Sequence, residues 1–441
     1  MAKNKLVKGA LVLSLGGIIT KVIGAVYRVP LTNILGAEGI GIYQMVFPLY
    51  AILLTFSSTG VPSGISKLIA DGENPQKVLK SSIVLFSGLG LILGLLMAVF
   101  SRKIAIFQGD KNAYLAYLFI SPAVVFVSLI SCFRGYFQGI FNMSPTAVSQ
   151  VIEQVTKLFF GLIICYFLRN DVIKASAGAT LAVTLSEVVA LFYLVKKSKK
   201  ELSIARIFKQ KIAFKPIVKN VLPIMATTLI MPIIKMVDSF LILNVVGSYL
   251  TNATAYYGLY SGAVESIVSL PVSVCYAIAV TSIPIVSKAK KENEDLKKHF
   301  KKSIYLTVFT AIILSAVTLL FSNFSINLLY KGLSESERLT AGNMLKLSSL
   351  TVIFLPIMQT SIALINAIGK YKVSLFSGSV MAIVKIISSY LLLKNPSINV
   401  YGAILSDILS YFVACFINLS YIIYSVTTKN KIKTQVKVQN V

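Results

Sequence analysis

Apolar runs recur along the whole chain, and short polar or basic stretches close each one. About 20 mostly apolar residues are needed to cross a bilayer core as a helix. Read at that length, the runs predict twelve spanning helices at 8–32, 39–66, 79–100, 114–136, 146–168, 174–195, 217–246, 254–286, 303–324, 340–368, 373–393 and 399–427. The longest polar interruption, KKSKKELSIARIFKQKIAFKPIVK at 196–219, falls between the sixth run and the seventh. It predicts a six-helix lobe at 1–196, a basic linker at 197–216, a second six-helix lobe at 217–428 and a basic tail at 429–441.

The two halves repeat each other. Shifting the sixth run by 224 residues onto the twelfth superposes Gly178, Ala179, Leu181, Leu185, Ser186, Val189, Ala190 and Phe192 on Gly402, Ala403, Leu405, Leu409, Ser410, Val413, Ala414 and Phe416. Lys157 in the fifth run meets Lys385 in the eleventh at a shift of 228, and Lys21 in the first meets Lys235 in the seventh at 214. Six spans per half keep both halves in the same orientation, so the repeat is parallel, about an axis along the membrane normal. Carriers that work by alternating access are commonly built this way.

Composition narrows the class. Only 13% of residues are charged and 56% are hydrophobic, which excludes an ordinary soluble enzyme and a disordered chain. The net charge of +27 points to nucleic acid in a soluble protein, but in a polytopic one it reflects basic cytoplasmic loops. With the N-terminus inside, 28 of the 43 Lys and Arg fall in cytoplasmic segments and 8 in external ones. That asymmetry predicts both termini in the cytoplasm. The basic start (Lys3, Lys5, Lys8) resembles a secretory signal, but no small-residue cleavage site follows, so it reads as a retained first span. Cys132, Cys165, Cys275 and Cys415 lie far apart inside apolar runs and read as small core residues. With one His in the chain, a site needing two is excluded, and no metal site or organic cofactor is expected. No phosphate-cradling glycine loop of the Walker or GxGxxG type is present, which argues against ATP hydrolysis.

The chemistry lies in charges inside the runs. Seven bases (Lys21, Arg28, Arg134, Lys157, Lys235, Lys346, Lys385) and five acids (Glu153, Glu187, Asp238, Glu265, Asp407) fall within predicted spans. Each costs about 2.5–3.5 kcal/mol if it faces lipid at mid-bilayer, so they must pair, snorkel or line a wet cavity. Glu153–Lys157 and Lys235–Asp238 have helical spacing for local ion pairs, and Arg134, Glu153, Lys157 and Lys385 read as structural or cavity-lining groups. Lys346 and Lys385 read equally as snorkelling or bracing groups, and Glu187 and Asp407 as helix-stitching ones.

Gly17, Lys21, Gly24 and Arg28 share one face of the first span, with no acid along it. Such a stripe suits phosphate: Arg binds it bidentately and Lys as a point charge. Lys235 takes the matching place in the second half, and Asp238 and Glu265 are candidate counter-charges or ion-coupling groups. Prolines and glycines (Pro48, Gly60, Pro62, Gly64, Pro223, Pro232, Pro271, Pro284) mark the second, seventh and eighth spans as those able to bend.

Three stretches carry a resemblance: 15–70, beginning LGGIITKVIGAVYRVP; FRGYFQGIFNMSPTAVSQVIEQVTK at 133–157; and LPVSVCYAIAVTSIPIVSK at 270–288. Together they resemble the stage V sporulation protein B and polysaccharide-exporter family, part of the multidrug/oligosaccharidyl-lipid/polysaccharide exporter superfamily to which the lipid II flippases also belong. The resemblance implies two six-helix lobes arranged as a V. It also implies transfer of an undecaprenyl-pyrophosphate-linked oligosaccharide or peptidoglycan precursor across a bacterial plasma membrane, with membrane lipids as surroundings and no nucleic-acid partner. Carried over, the family's cationic cavity falls on Lys21 and Arg28; the second span offers Lys67, and the eighth carries Glu265 where a base is expected. The sequence leaves one rival open: a cation-coupled multidrug exporter using Asp238 or Glu265 with Na⁺ or H⁺. An integral-membrane glycosyltransferase is disfavoured, because the external loop near 325–339 has only Glu335 and Glu337 for acid chemistry.

Overall fold

The computed structural model describes residues 2–199, 210–292 and 294–439. Residues 200–209 of the basic linker and 440–441 of the tail lie outside the described residues, as do the side chains of Lys3, Lys5 and Lys8 and of the tail lysines. Among the described residues the chain is helical throughout, with no strand. An all-helical build is what a bilayer imposes, because each backbone N–H and C=O must be satisfied within its own segment.

The chain divides into two compact units, 1–262 and 263–441. In the first, α1 spans Ala2–Ser57, α2 Val61–Ala70, α3 Pro75–Val99, α4 Ser101–Gln108, α5 Tyr114–Gly139, α6 Ser144–Leu168 and α7 Val172–Ser198. They are followed by α8 (Lys215–Thr228), α9 (Ile230–Val245) and α10 (Ala253–Tyr257). A π-helical segment, Gly258–Val264, leads into the second unit. That unit holds α11 (Glu265–Lys291), α12 (Leu296–Leu320), α13 (Ser322–Leu329), α14 (Glu335–Ser348), α15 (Thr351–Ala367), α16 (Tyr371–Leu393) and α17 (Tyr401–Gln439).

Among the described residues ten helices are long and apolar enough to cross a membrane, and eleven if the bent pair α14–α15 counts as one span. The remaining difference from twelve lies in α1. A helix of 56 residues is about 84 Å long, nearly three times a bilayer core. Its backbone leaves the helical region at Gly36 (φ 68°, ψ −176°), within the polar stretch that separates the first two predicted spans. An added Cβ at Gly36 would meet nothing, so glycine is required there by backbone conformation and not by space.

The bending points fall where prolines and glycines cluster, though not always at the proline. Pro48 lies inside continuous helix, whereas Gly60, in the left-handed region (φ 84°), ends the run and Pro62 restarts it as α2. The seventh span breaks at Leu229, between α8 and α9. Pro271 and Pro284 are absorbed within α11, and the irregularity of the eighth span is the π segment ahead of them. The four cysteines are buried and free.

Candidate functional site

The site begins at the turn RGYFQGIFNMSPT, residues 134–146, which joins α5 to α6. Gly135 and Gly139 stand one turn apart on α5, and α2 lies directly on them. A Cβ at Gly135 would come within 2.8 Å of Ile65 Cβ and one at Gly139 within 2.7 Å of Ile69 Cβ. Phe141 takes a positive φ of 58° to close the turn, and Pro145 starts α6. The tight turn sets the opening residues of α6 beside the end of α5, so Arg134 Nε donates to Ser149 Oγ (3.0 Å) and Arg134 Nη2 to Glu153 Oε2 (3.0 Å). Gln154 Nε2 donates to the other oxygen, Glu153 Oε1, at 3.1 Å.

This ion pair corrects the sequence reading of Glu153. Its partner is Arg134 on the neighbouring helix, not Lys157 one turn along its own. Released from Glu153, Lys157 places its ammonium 5.8 Å from the ring centroid of Tyr27 on α1. There it interacts electrostatically with Arg28 as well as with Glu153 and Glu187. Glu187 comes from α7, is 5% exposed, and its Oε2 has no hydrogen-bond partner. Arg134, Lys157 and Glu153 all act on it electrostatically, and it acts in turn on Tyr50 of α1. Four helices of the first unit thus bring three bases, two acids and the buried Tyr27, Tyr43 and Tyr50 into one polar group inside an apolar bundle.

The predicted stripe on α1 is resolved into two parts. Gly17 opens onto empty space and Lys21 is exposed, whereas a Cβ at Gly24 would lie 3.5 Å from Gln154 Oε1 and Arg28 is half-buried in the group just described. The stripe itself carries no acid, but the fold supplies two from α6 and α7 that sequence spacing cannot reveal. Lys235, on α9, lies 5.7 Å from the ring centroid of Tyr260, and Asp238, one turn on, is 1% exposed. Glu265 opens α11 immediately after the π segment and belongs to the second unit. At α-helical spacing Tyr257, Ser261 and Glu265 would share one face, but the π turn interrupts that register; π segments inside helices are frequent at functional sites.

A second polar system joins α9, α10 and the π segment to the first helices of the same unit. Gln108 Nε2 donates to Met45 O (2.9 Å) and Ser239 Oγ (2.6 Å), Tyr117 OH donates to Met45 O (2.9 Å), and Tyr117 OH also bonds Gln108 Oε1. Asn244 Nδ2 reaches Gln108 O at 3.0 Å, Thr254 Oγ1 donates to Asp110 Oδ2 at 2.7 Å, and Gln44 Nε2 donates to Ser261 O at 3.2 Å. Backbones meet directly here: a Cβ at Gly41 would lie 2.1 Å from Thr254 O, and one at Gly258 2.0 Å from Ala37 O. Small residues allow such contact between spanning helices. No sequence pattern had singled out Gln108, Asp110 or Asn244; the only signal was polarity at the ends of apolar runs.

In the second unit Lys385 is fully buried and fully satisfied. Its Nζ pairs with Asp407 Oδ1 at 2.9 Å and donates to Ala403 O (2.8 Å) and Ser406 Oγ (2.9 Å). This is a brace between α16 and α17, one of the two roles the sequence left open for Lys385. Among the described residues no cluster of His, Cys, Asp and Glu is arranged to hold a metal ion.

Comparison with known proteins follows the same lines. Stage V sporulation protein B of Bacillus subtilis is 27% identical over 435 residues, covering 92% of this chain and 81% of that protein. Lipid II flippase MurJ of Bacillus subtilis is 25% identical over 449 residues, with 93% and 81% covered. Among solved structures, the inward-facing conformation of a multidrug resistance MATE family transporter of the MOP superfamily superposes with a TM-score of 0.81 at 15% identity, over 96% of this chain and 99% of that one. The fold is therefore the two-lobed helical fold of that superfamily. Residues 6–290 match the polysaccharide biosynthesis protein family, and with that match covering well over half its length the chain belongs to this family of multi-pass membrane proteins.

Proposed function

We propose that the protein is a flippase of the bacterial plasma membrane. It carries an undecaprenyl-pyrophosphate-linked oligosaccharide or peptidoglycan precursor from the inner to the outer leaflet by alternating access. Both termini face the cytoplasm, and the halves 1–196 and 217–428 rock about the substrate. The observation that carries the reading is the polar group inside the apolar bundle, where Arg28, Arg134 and Lys157 gather around only two acids, Glu153 and Glu187, and so leave an excess of positive charge. An excess of positive charge there attracts an anion, and a diphosphate supplies more than one negative charge. The similarity to a lipid II flippase and to stage V sporulation protein B over more than nine-tenths of the chain supports the cargo class.

In this reading Lys21, exposed toward the start of α1, meets the diphosphate first, Arg28 and Lys157 hold it, and Lys235 engages it from the second half of the chain. Asp238 and Glu265 serve as counter-charges or as the groups that couple transport to Na⁺ or H⁺. The hydrogen bonds of Gln108, Asn244 and Thr254, with the glycine contacts at Gly41 and Gly258, close the external end of the first unit. They must separate for cargo to leave.

The buried acids Glu187 and Asp238 favour a second reading, a cation-coupled multidrug exporter on the same scaffold. Purified protein in proteoliposomes separates the two. A fluorescent polyprenyl-pyrophosphate glycan is translocated by wild type and not by the triple variant Lys21→Ala, Arg28→Ala, Lys235→Ala, with expression and melting unchanged. Full translocation by the triple variant overturns the flippase assignment, as does uptake of a cationic dye in place of the lipid.

A further inference from the structure

The short helix α13 and the start of α14 flank an open surface cavity of about 460 Å³ in the second unit. It lies within the ~300–1,000 Å³ of small-molecule sites. Asn323, Asn327 and Lys331 follow one another at intervals of four residues and line one wall; Glu335, Arg338 and Leu339 line the other. The opposite face of α13 is apolar and outward, with Phe324 62% and Leu328 53% exposed. The cavity is thus the polar side of an amphipathic helix, in a segment that the external-loop charges of the sequence assign to the outer surface.

The groups in it are positioned but unspent. Arg338 Nη1 donates to Lys331 O (3.3 Å) and Leu333 O (3.0 Å), which fixes the guanidinium while leaving its other N–H groups available. Tyr330, beneath the turn, is anchored by its OH to Ala263 O at 3.1 Å. The capping box at Ser334 consumes Glu337 but not Glu335. Asn323 Oδ1 is sealed from solvent without a hydrogen-bond partner, and it sits where a Cβ on Gly342 would approach within 2.3 Å. Gly342 therefore makes room for the Asn323 carboxamide, whose nitrogen is left as its polar contribution to the cavity.

We propose that this cavity binds an anionic saccharide, a pyranose bearing a carboxylate. Arg338 and Lys331 take the carboxylate, the Asn323 and Asn327 amides bond ring hydroxyls, Glu335 accepts from a hydroxyl, and Leu339 covers an apolar C–H face. The presence of Glu335 is what separates this from a phosphate site: a carboxylate beside a dianion is repulsive, whereas beside a sugar hydroxyl it is an acceptor. The inference rests on the flippase reading for its biological sense. On the proposed orientation, the cavity receives the acidic sugar of the glycan at the outer surface.

Binding is tested apart from transport. Full-length protein in lipid nanodiscs is titrated with D-glucuronate and, separately, with D-glucose, followed by saturation-transfer NMR, with inorganic phosphate as competitor. Wild type transfers saturation to glucuronate and binds glucose about tenfold more weakly, the scale of one charge-assisted contact. The double variant Lys331→Gln, Arg338→Gln weakens glucuronate about tenfold or more with unchanged melting. Gly342→Ala, which displaces Asn323 and leaves every charge in place, weakens both sugars. Undiminished glucuronate binding in the double variant overturns the proposal, as does absence of transfer in wild type or full displacement by equimolar phosphate. Because none of these measurements involves translocation, the cavity can fail while the flippase reading stands. The Lys21, Arg28 and Lys235 variant can likewise remain active while the cavity still binds.

Discussion

Lys157 and Lys385 occupy the same place in the two halves of the repeat, yet the fold treats them differently. Lys385 is 1% exposed and saturated by Asp407, Ala403 and Ser406 on the next helix. Lys157 is half-buried over the Tyr27 ring and makes no close ion pair among the described residues, because Glu153 on its own helix is bonded by Arg134; it shares the influence of Glu153 and Glu187 with Arg28 and Arg134. The cause is a small divergence between repeats. Asp407 corresponds to Val183 under the 224-residue shift, and the acid of the first half, Glu187, stands one turn later, where the second half has Tyr411. Moving one carboxylate by a turn converts a sealed brace into a shared network. A buried ion pair is satisfied and inert, whereas three bases sharing two acids retain a capacity to bind an anion.

The comparison is sharpest in stability. Lys385→Met strands Asp407 and costs about 3–5 kcal/mol, seen as a lowered melting temperature in detergent; adding Asp407→Leu restores most of it, because a packed apolar pair replaces an uncompensated charge. No loss in the single variant would remove the brace. Next in size, Arg134→Gln leaves Glu153 facing Glu187 without its guanidinium partner and costs about 2 kcal/mol, the worth of hydrogen bonds to a charged group. Glu153→Gln, which keeps a hydrogen-bond acceptor, is milder by the same measurement. The smallest change in free energy belongs to Lys157→Met. It removes repulsion with Arg28 together with attraction to Glu153 and Glu187, which offset each other, so melting changes little, while translocation of the labelled lipid falls about tenfold, equivalent to about 1.4 kcal/mol. If Lys157→Met instead melts as low as Lys385→Met, the two lysines are equivalent braces and the contrast is broken.

Much of the fold was legible because a bilayer permits few solutions. Long apolar runs must be helices, and polar punctuation marks where they end. The buried cysteines followed from the apolar runs around them, whereas the choice between snorkelling and bracing at Lys385 needed the fold. The breaks were legible in kind but not in place: Pro48 and Pro271 sit in continuous helix, whereas Gly36 and Gly60 mark the irregular points. A proline removes one hydrogen bond, which neighbouring helices can compensate, but a backbone angle open to glycine redirects the chain.

By itself, the sequence determined the class, the span pattern, the repeat and the inventory of charges that must find partners, since each follows from the cost of polar groups in hydrocarbon. Which charge meets which was decided only by tertiary structure. Helical spacing offered Lys157 to Glu153, and the turn at 134–146 gave Glu153 to Arg134 instead. Partner choice among buried charges depends on which helices lie side by side and at what height, and contacts between residues 19 or more positions apart are not written in any local period.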